Sequence, residues 1–211
     1  ELYTAVGEGQ LDAAFGMPIY YAMKVPAVIF FGAVPFGPGL IEFSAWMRYG
    51  GGQDLKNRIY GEKGIVSIEC SMFAPETAGW FKHRFRRIEE LKDQKMRIAG
   101  LGAKVLKKLG IKTRLLSLAE TVPALKKGVV EAAELTSPDR DLMTGIHMIA
   151  KYNYYPGWFQ QTGPGELLLN KKSWDGLSKT AQSIISTTCE QIYFSTAIRT
   201  NAIQPKAMRQ L

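Results

Sequence analysis

The run from Lys95 to Gly110, KMRIAGLGAKVLKKLG, places one guanidinium, a pair of glycines and a basic, leucine-spaced segment side by side. Strand, glycine-rich turn, helix is the geometry that turns backbone N–H groups towards an anion. A dinucleotide fingerprint needs a third glycine where Val105 stands, and a P-loop needs Gly-Lys-Ser/Thr, which is absent. Gly100 and Gly102 therefore read as turning the chain, with Val105, Leu106 and Leu109 on a helix face and Gly110 as its stop. Arg97 is different. It closes a short apolar strand, at the end where open α/β sheets put their ligands, and its planar five-donor fork suits bidentate recognition of a carboxylate or phosphate.

Other reactive types are sparse. Cys70 or Cys189 could pair with His83 or His147 as a nucleophile, but neither cysteine lies in a nucleophile motif and both fit apolar surroundings. Asp139, Arg140 and Asp141 could do acid–base work, yet a Ser-Pro-Asp run opening a helix is first an N-cap. An α/β enzyme acting on a small carboxylic acid is thus the alternative function. Two distant cysteines exclude a Cys-rich zinc module and give no disulfide framework, so the redox compartment stays open.

At 211 residues, 46% hydrophobic and 22% charged, the chain can bury a real core as one large domain or two small ones. Its net charge of +8 permits nucleic-acid or anionic-membrane contact. The basic residues read as scattered, apart from Lys82-His83-Arg84-Phe85-Arg86-Arg87, which Glu89-Glu90 answer as in a solvated helix start. No nucleic-acid partner is expected. The longest apolar stretch, Val25 to Leu40, is broken by Pro26, Pro35 and Pro38 and cannot cross a bilayer as a helix. The chain opens on Glu1-Leu2-Tyr3 and closes on Arg209-Gln210-Leu211 in mid-pattern, so both ends read as cut.

The elements that must position Arg97 follow from periodicity. A short strand is expected over Asp12 to Phe15, helices over Ile41 to Tyr49 and Gln53 to Tyr60, and an alternating strand over Gly64 to Phe73. Then comes βαβαβ order: a helix near Arg87 to Leu91, strand Lys95 to Ile98, helix Gly102 to Leu109, strand Lys112 to Leu116, helix Ala119 to Lys127 capped by Ser117, and strand Val129 to Leu135. A helix from Pro138 to about Lys151, extended runs Tyr152 to Trp158 and Glu166 to Asn170, and a long helix Lys179 to Thr200 complete the chain. Ala181, Ile184, Ile185, Thr188, Ile192 and Ala197 give that last helix an apolar stripe.

AVPFG (Ala33 to Gly37), WMRYGGG (Trp46 to Gly52), AGWF (Ala78 to Phe81), KMRIAGLG, the run ETVPALKKGVVEAAE (Glu120 to Glu134) and YNYYPGWFQQTGPGELLLNKKSWDGLS (Tyr152 to Ser178) follow one another. In that order they resemble the solute-binding subunit of tripartite ATP-independent periplasmic (TRAP) transporters, the DctP-like family. The likeness covers nearly the whole chain. It implies an α/β, two-lobed periplasmic solute-binding-protein fold with mixed sheets, connecting strands and a long C-terminal helix. Residues 1–73 are expected mostly in lobe I, 74–153 mostly in lobe II, and 154–211 in interlobe strands and C-terminal helices. The resemblance also leads one to expect that, against a full member, the signal peptide, the first strand and helix, and the last part of the C-terminal helical region are missing here.

The resemblance also implies a non-enzymatic role: capture in the periplasm of a small organic monocarboxylate, a 2-oxo or 2-hydroxy acid, and its delivery to TRAP membrane permease subunits, as a monomer or a dimer. Arg97 falls where the family carries the arginine that pairs with the ligand carboxylate. Glu76 falls where relatives of this subgroup often carry a glutamine that touches a bound cation. Glu134 matches the glutamate of the family's Glu-Trp pair, but Leu135 replaces the tryptophan and offers only its backbone carbonyl. Two carboxylates and a carbonyl suit Ca²⁺, or alternatively Na⁺, bridging the ligand carboxylate. Taken singly, either glutamate reads as an ordinary surface acid. Tyr20, Phe36, Tyr49, Trp80, Tyr155 and Trp158 each read singly as core; Phe36 and Trp80 are expected nearest the pocket, in loops following strands.

Overall fold

The computed structural model describes residues 2–211. In chain order its elements are α1 (Leu2–Gly7), β1 (Ala13–Gly16), α2 (Leu40–Tyr49), α3 (Gly52–Gly61), β2 (Ile65–Phe73), β3 (Gly79–Phe81), β4 (Lys95–Arg97), α4 (Gly100–Lys108), β5 (Lys112–Arg114), α5 (Leu118–Lys126), β6 (Ala132–Ala133), α6 (Pro138–Thr144), β7 (Tyr152–Tyr154), β8 (Gly163–Asn170), α7 (Lys171–Asp175) and α8 (Lys179–Gln210). Two compact units result: the first comprises the described residues up to Gly32, Pro38–Phe73 and Thr162–Asn201, the second Ala33–Gly37, Ala74–Gln161 and Ala202–Leu211. The expected mixed α/β content and long C-terminal helix are both present.

The first unit is built on an antiparallel sheet in the order β1-β8-β2, with Ala13 opposite Leu169 and Ile65 opposite Asn170. Tyr3, Val6, Phe31, Phe43, Met47, Tyr60, Ile65, Met72 and Leu168 bury their side chains together around it. The register of β2 slips between Glu69 and Ser71, so Cys70 is the extra residue of a bulge. A bulge re-aims a side chain. Here Cys70 forms a disulfide with Cys189 of α8, across a sequence separation of 119. This corrects the reading of the two cysteines as unconnected apolar residues, because only the packing of α8 against the bulge makes them neighbours. The face of α8 is corrected too. Ile184 and Ile192 are exposed; Ala197 is buried as expected, with Cys189 and Tyr193 in line four residues apart before it and Ala207 further along.

The second unit holds a five-stranded sheet in the order β5-β4-β6-β3-β7. β4 runs parallel to β5 and β6, and β3 runs antiparallel to β6 and β7. Neighbouring side chains on β3 point to opposite faces, so Trp80 joins Leu125, Val130, Leu135 and Ile146 in one cluster while Phe81 joins Met96, Ile98, Leu106 and Phe159 in another. α5 starts on a capping box: the Ser117 hydroxyl accepts from the Glu120 N–H, and the Glu120 carboxylate accepts from the Ser117 N–H at 3.0 Å. Several expected elements are shorter than their sequence patterns, among them the run Tyr152 to Trp158, of which only Tyr152–Tyr154 is strand, and Lys112 to Leu116, of which only Lys112–Arg114 is. The helix near Arg87 is a single 3-10 turn, Ile88–Leu91. Strand Val129 to Leu135 reduces to Ala132–Ala133. The helix after Pro138 stops at Thr144, because Gly145 takes a left-handed φ of 71° and turns the chain into a short 3-10 segment.

Candidate functional site

Arg97 ends β4, with its successor Ile98 donating a backbone hydrogen bond to the Arg114 carbonyl and Glu134 donating to the Arg97 carbonyl at 2.9 Å. The side chain is 2% exposed. Its Nε donates to the Leu116 carbonyl at 3.1 Å, and Nη1 donates both to the Glu134 carbonyl at 2.9 Å and to Glu134 Oε2 at 2.6 Å. One guanidinium thereby ties together the segments that follow three adjacent parallel strands. Nη2, the remaining corner of the fork, has no hydrogen-bond partner among the described residues.

Glu76 lies beside this pair. Its Oε1 accepts from Gln160 Nε2 at 2.6 Å, while its buried Oε2 accepts from no donor among the described residues. Burial, and then the Glu134 carboxylate by charge and hydrogen bonding, push the Glu76 carboxyl well above the usual carboxylate range, although Arg97 opposes them. The segment after β7 comes so close that a Cβ on Gly157 would sit 2.0 Å from the Glu76 carbonyl oxygen. Glu76 itself donates its N–H to the Gln160 carbonyl at 3.3 Å.

Trp80 is a strand residue and not a loop residue, correcting that part of the expectation. Its indole Nε1 donates to Asp141 Oδ2 at 2.5 Å, and Asp141 Oδ1 accepts from the Thr136 N–H at 3.0 Å and the Thr136 hydroxyl at 2.6 Å. Burial pushes the Asp141 carboxyl up to about 7, against the lowering effect of these donors. Asp141, read from sequence as part of a helix cap, is therefore a buried acceptor that holds the Trp80 ring and the segment after Glu134. Leu135 turns its side chain into the Trp80 cluster, and its carbonyl takes no hydrogen bond among the described residues. Phe36 is 80% exposed, has a φ of 55°, donates its N–H to the Trp158 carbonyl at 2.7 Å, and lies 5.8 Å from the Trp158 ring.

The structure thus gathers Arg97, Glu134, Glu76 and Gln160, with Trp80 and Leu135 adjoining. Gln160 was not legible in advance; it stands in the run Trp158-Phe159-Gln160-Gln161, where nothing in the spacing separates one glutamine from the other. The donor set is hard oxygen: two carboxylates that repel one another and a free carbonyl. Among the described residues, no three His, Cys, Asp or Glu side chains are arranged to hold a metal by themselves.

The model of a bacterial family described as extracellular solute-binding protein, family 7 (DctP), matches residues 1–204. The chain belongs to this family. A monocarboxylate 2-oxoacid-binding periplasmic protein from Nostoc sp. is 30% identical over 211 residues, which are 100% of this chain and 58% of that protein. A TRAP transporter solute-binding protein from Bordetella bronchiseptica, solved with copurified calcium and picolinate, is similar with a TM-score of 0.94 and 29% identity, over 99% of this chain and 62% of its own. Another from Pseudoalteromonas atlantica, with bound sodium and pyruvate, gives a TM-score of 0.91 and 31% identity, over 99% and 64%. The chain therefore spans about three fifths of the length of these relatives. The family and these relatives are solute-binding proteins and not enzymes, so the enzymatic alternative has no support.

Proposed function

We propose that this protein is the periplasmic solute-binding component of a TRAP transporter, that it captures a small 2-oxo or 2-hydroxy monocarboxylate, and that it hands the acid to the membrane permease. The observation that carries this reading is the incomplete fork of Arg97, buried, braced at Nε and Nη1, and open at Nη2. A guanidinium in that state presents a preformed donor for one carboxylate, and burial makes the pairing stronger than it is in water. The relatives bound to pyruvate or picolinate supply the ligand class.

The orphaned Glu76 Oε2 supports a bound cation as well. Glu76, Glu134 and the Leu135 carbonyl would hold it, and it would supply the positive charge that lets two carboxylates and a ligand carboxylate coexist. Ca²⁺ fits two anionic ligands better than Na⁺ does. Calorimetry on the full-length protein tests both parts. Pyruvate affinity is expected to fall in chelator and return with Ca²⁺, and Glu76→Gln to shift the preference towards Na⁺. Equal affinity in chelator and in Ca²⁺ overturns the cation, and absence of binding to any 2-oxo or 2-hydroxy acid overturns the ligand class.

A further inference from the structure

The net charge of the chain is not spread evenly. The second unit carries eighteen of the Lys and Arg residues against nine Asp and Glu, and the first carries nine against ten. Topology then concentrates the excess. Lys95 and Lys112 begin the parallel neighbours β4 and β5 and are register partners, and Lys92 lies on the approach to β4, against Gly110. In a βαβ crossover each helix returns the chain to the end of the sheet where the next strand begins. The last turn of α4, with Lys107 and Lys108, and the end of α5, with Lys126 and Lys127, therefore reach that same end.

The antiparallel strands add to it. Phe81 at the end of β3 is opposite Ala132 at the start of β6 and Tyr152 at the start of β7, so Lys82 and Lys151 flank this end too. Arg84, Arg86 and Arg87 lie on the connection from the end of β3 to the start of β4. All of these cations are exposed except half-buried Lys82. Only Glu89, Glu90, Asp93 and Glu131 oppose them there. Asp93 is already paired with Lys112 at 3.0 Å, and Glu90 and Glu131 accept backbone N–H groups of Arg87 and Lys95. Arg97 and Glu134 end their strands at the opposite pole of the same sheet.

We propose that this basic pole is a docking surface for an anionic phospholipid bilayer. Nine of its twelve cations are lysines, hydrated point charges that suit a diffuse field of phosphates better than the fixed geometry of a protein carboxylate cluster. Between them Ile88, Leu109 and Tyr152 stand 41%, 44% and 41% exposed, the apolar and interfacial types that sit at the headgroup level.

The test is co-flotation of the full-length protein with vesicles of equimolar phosphatidylglycerol and phosphatidylcholine, against phosphatidylcholine alone. Binding is expected only to the anionic vesicles, with loss on going from about 20 to 300 mM salt as screening shortens to a few ångströms. Lys107→Glu, Lys108→Glu, Lys126→Glu and Lys127→Glu together are expected to cut the partition coefficient more than tenfold while pyruvate affinity stays unchanged. Equal binding to both vesicles, no binding, or an unaffected quadruple variant overturns the proposal. Recruitment by reconstituted permease in phosphatidylcholine, weakened by the same variant and without binding to anionic lipid, overturns it in favour of an acidic protein face.

Discussion

Each unit of this protein buries a small cluster of opposite charges, and the two are finished differently. In the first, Lys56 Nζ lies 2.9 Å from Glu166 Oε2 and 3.8 Å from Glu69 Oε1, and Glu166 also accepts from the Tyr60 hydroxyl at 2.8 Å and the Ser67 hydroxyl at 2.6 Å. Lys56 and Glu166 are fully buried, and the disulfide ties the adjoining bulge to α8. In the second, Arg97 serves Glu134 but leaves Nη2 open, and Glu76 keeps one oxygen without a donor. In the first cluster the cation stands within ion-pair distance of both carboxylates, although Lys56 Nζ and Glu69 Oε1 have no hydrogen-bond partner. In the second the guanidinium pairs with only one of the two carboxylates, which leaves Glu76 without a cation of its own for something else to complete.

The largest expected effect comes from removing the covalent tie of the first unit. Cys70→Ala with Cys189→Ala removes a cross-link spanning 119 residues, which chain entropy values at about 4–5 kcal/mol. Denaturant unfolding should show that loss in the first unit, and an unchanged midpoint would remove the disulfide from the comparison. Next, Lys56→Met leaves Glu166 buried without its cation and should cost about 3–5 kcal/mol, with Glu166→Gln in the same chain recovering part of it. If the double variant is as unstable as the single one, the pair is not what closes this core.

A third effect is pH-dependent. The Asp141 carboxyl rises from an ordinary 3.8 to about 7 in the folded protein, so its protonated form adds stability fully present below about pH 4 and lost as pH rises through 7. Glu76 acts with the same sign. In chelator, stability should therefore fall by a few kcal/mol between these limits. Asp141→Asn, which sets an amide N–H against the Trp80 indole N–H, should be less stable throughout but flatter in its pH profile. A slope equal to that of the unsubstituted protein would assign the titration elsewhere. The smallest effect should be Arg97→Lys: a point charge replaces the fork, pyruvate binding weakens more than tenfold, or about 1.4 kcal/mol, and the unfolding midpoint moves less than for Lys56→Met. Unchanged affinity in calorimetry would contradict the open-fork reading.

What could be read from the sequence was local. Arg97 at a strand end and the Ser117–Glu120 cap depend on residues within a few positions, and both are found in the structure. Alternation in β2 hid the bulge, because the burial pattern changes phase at Cys70 and the disulfide partner is on a distant helix. Val129 to Leu135 is uniformly apolar up to Glu131, yet only Ala132–Ala133 form ladder pairs, since Gly128 turns the chain with a φ of 70° and Val130 packs into the core before the strand begins. Gln160 and the acceptor role of Asp141 depend on which loops meet, which no spacing along the chain encodes.

Gly157 sets a limit of another kind. A methyl group there would fall 2.0 Å from the Glu76 carbonyl oxygen and 2.9 Å from its carbonyl carbon, with backbone and not a flexible side chain in the way. The residue governs how near Gln160 comes to Glu76. Under sequence drift, position 157 should thus be frozen by the neighbour it must let through.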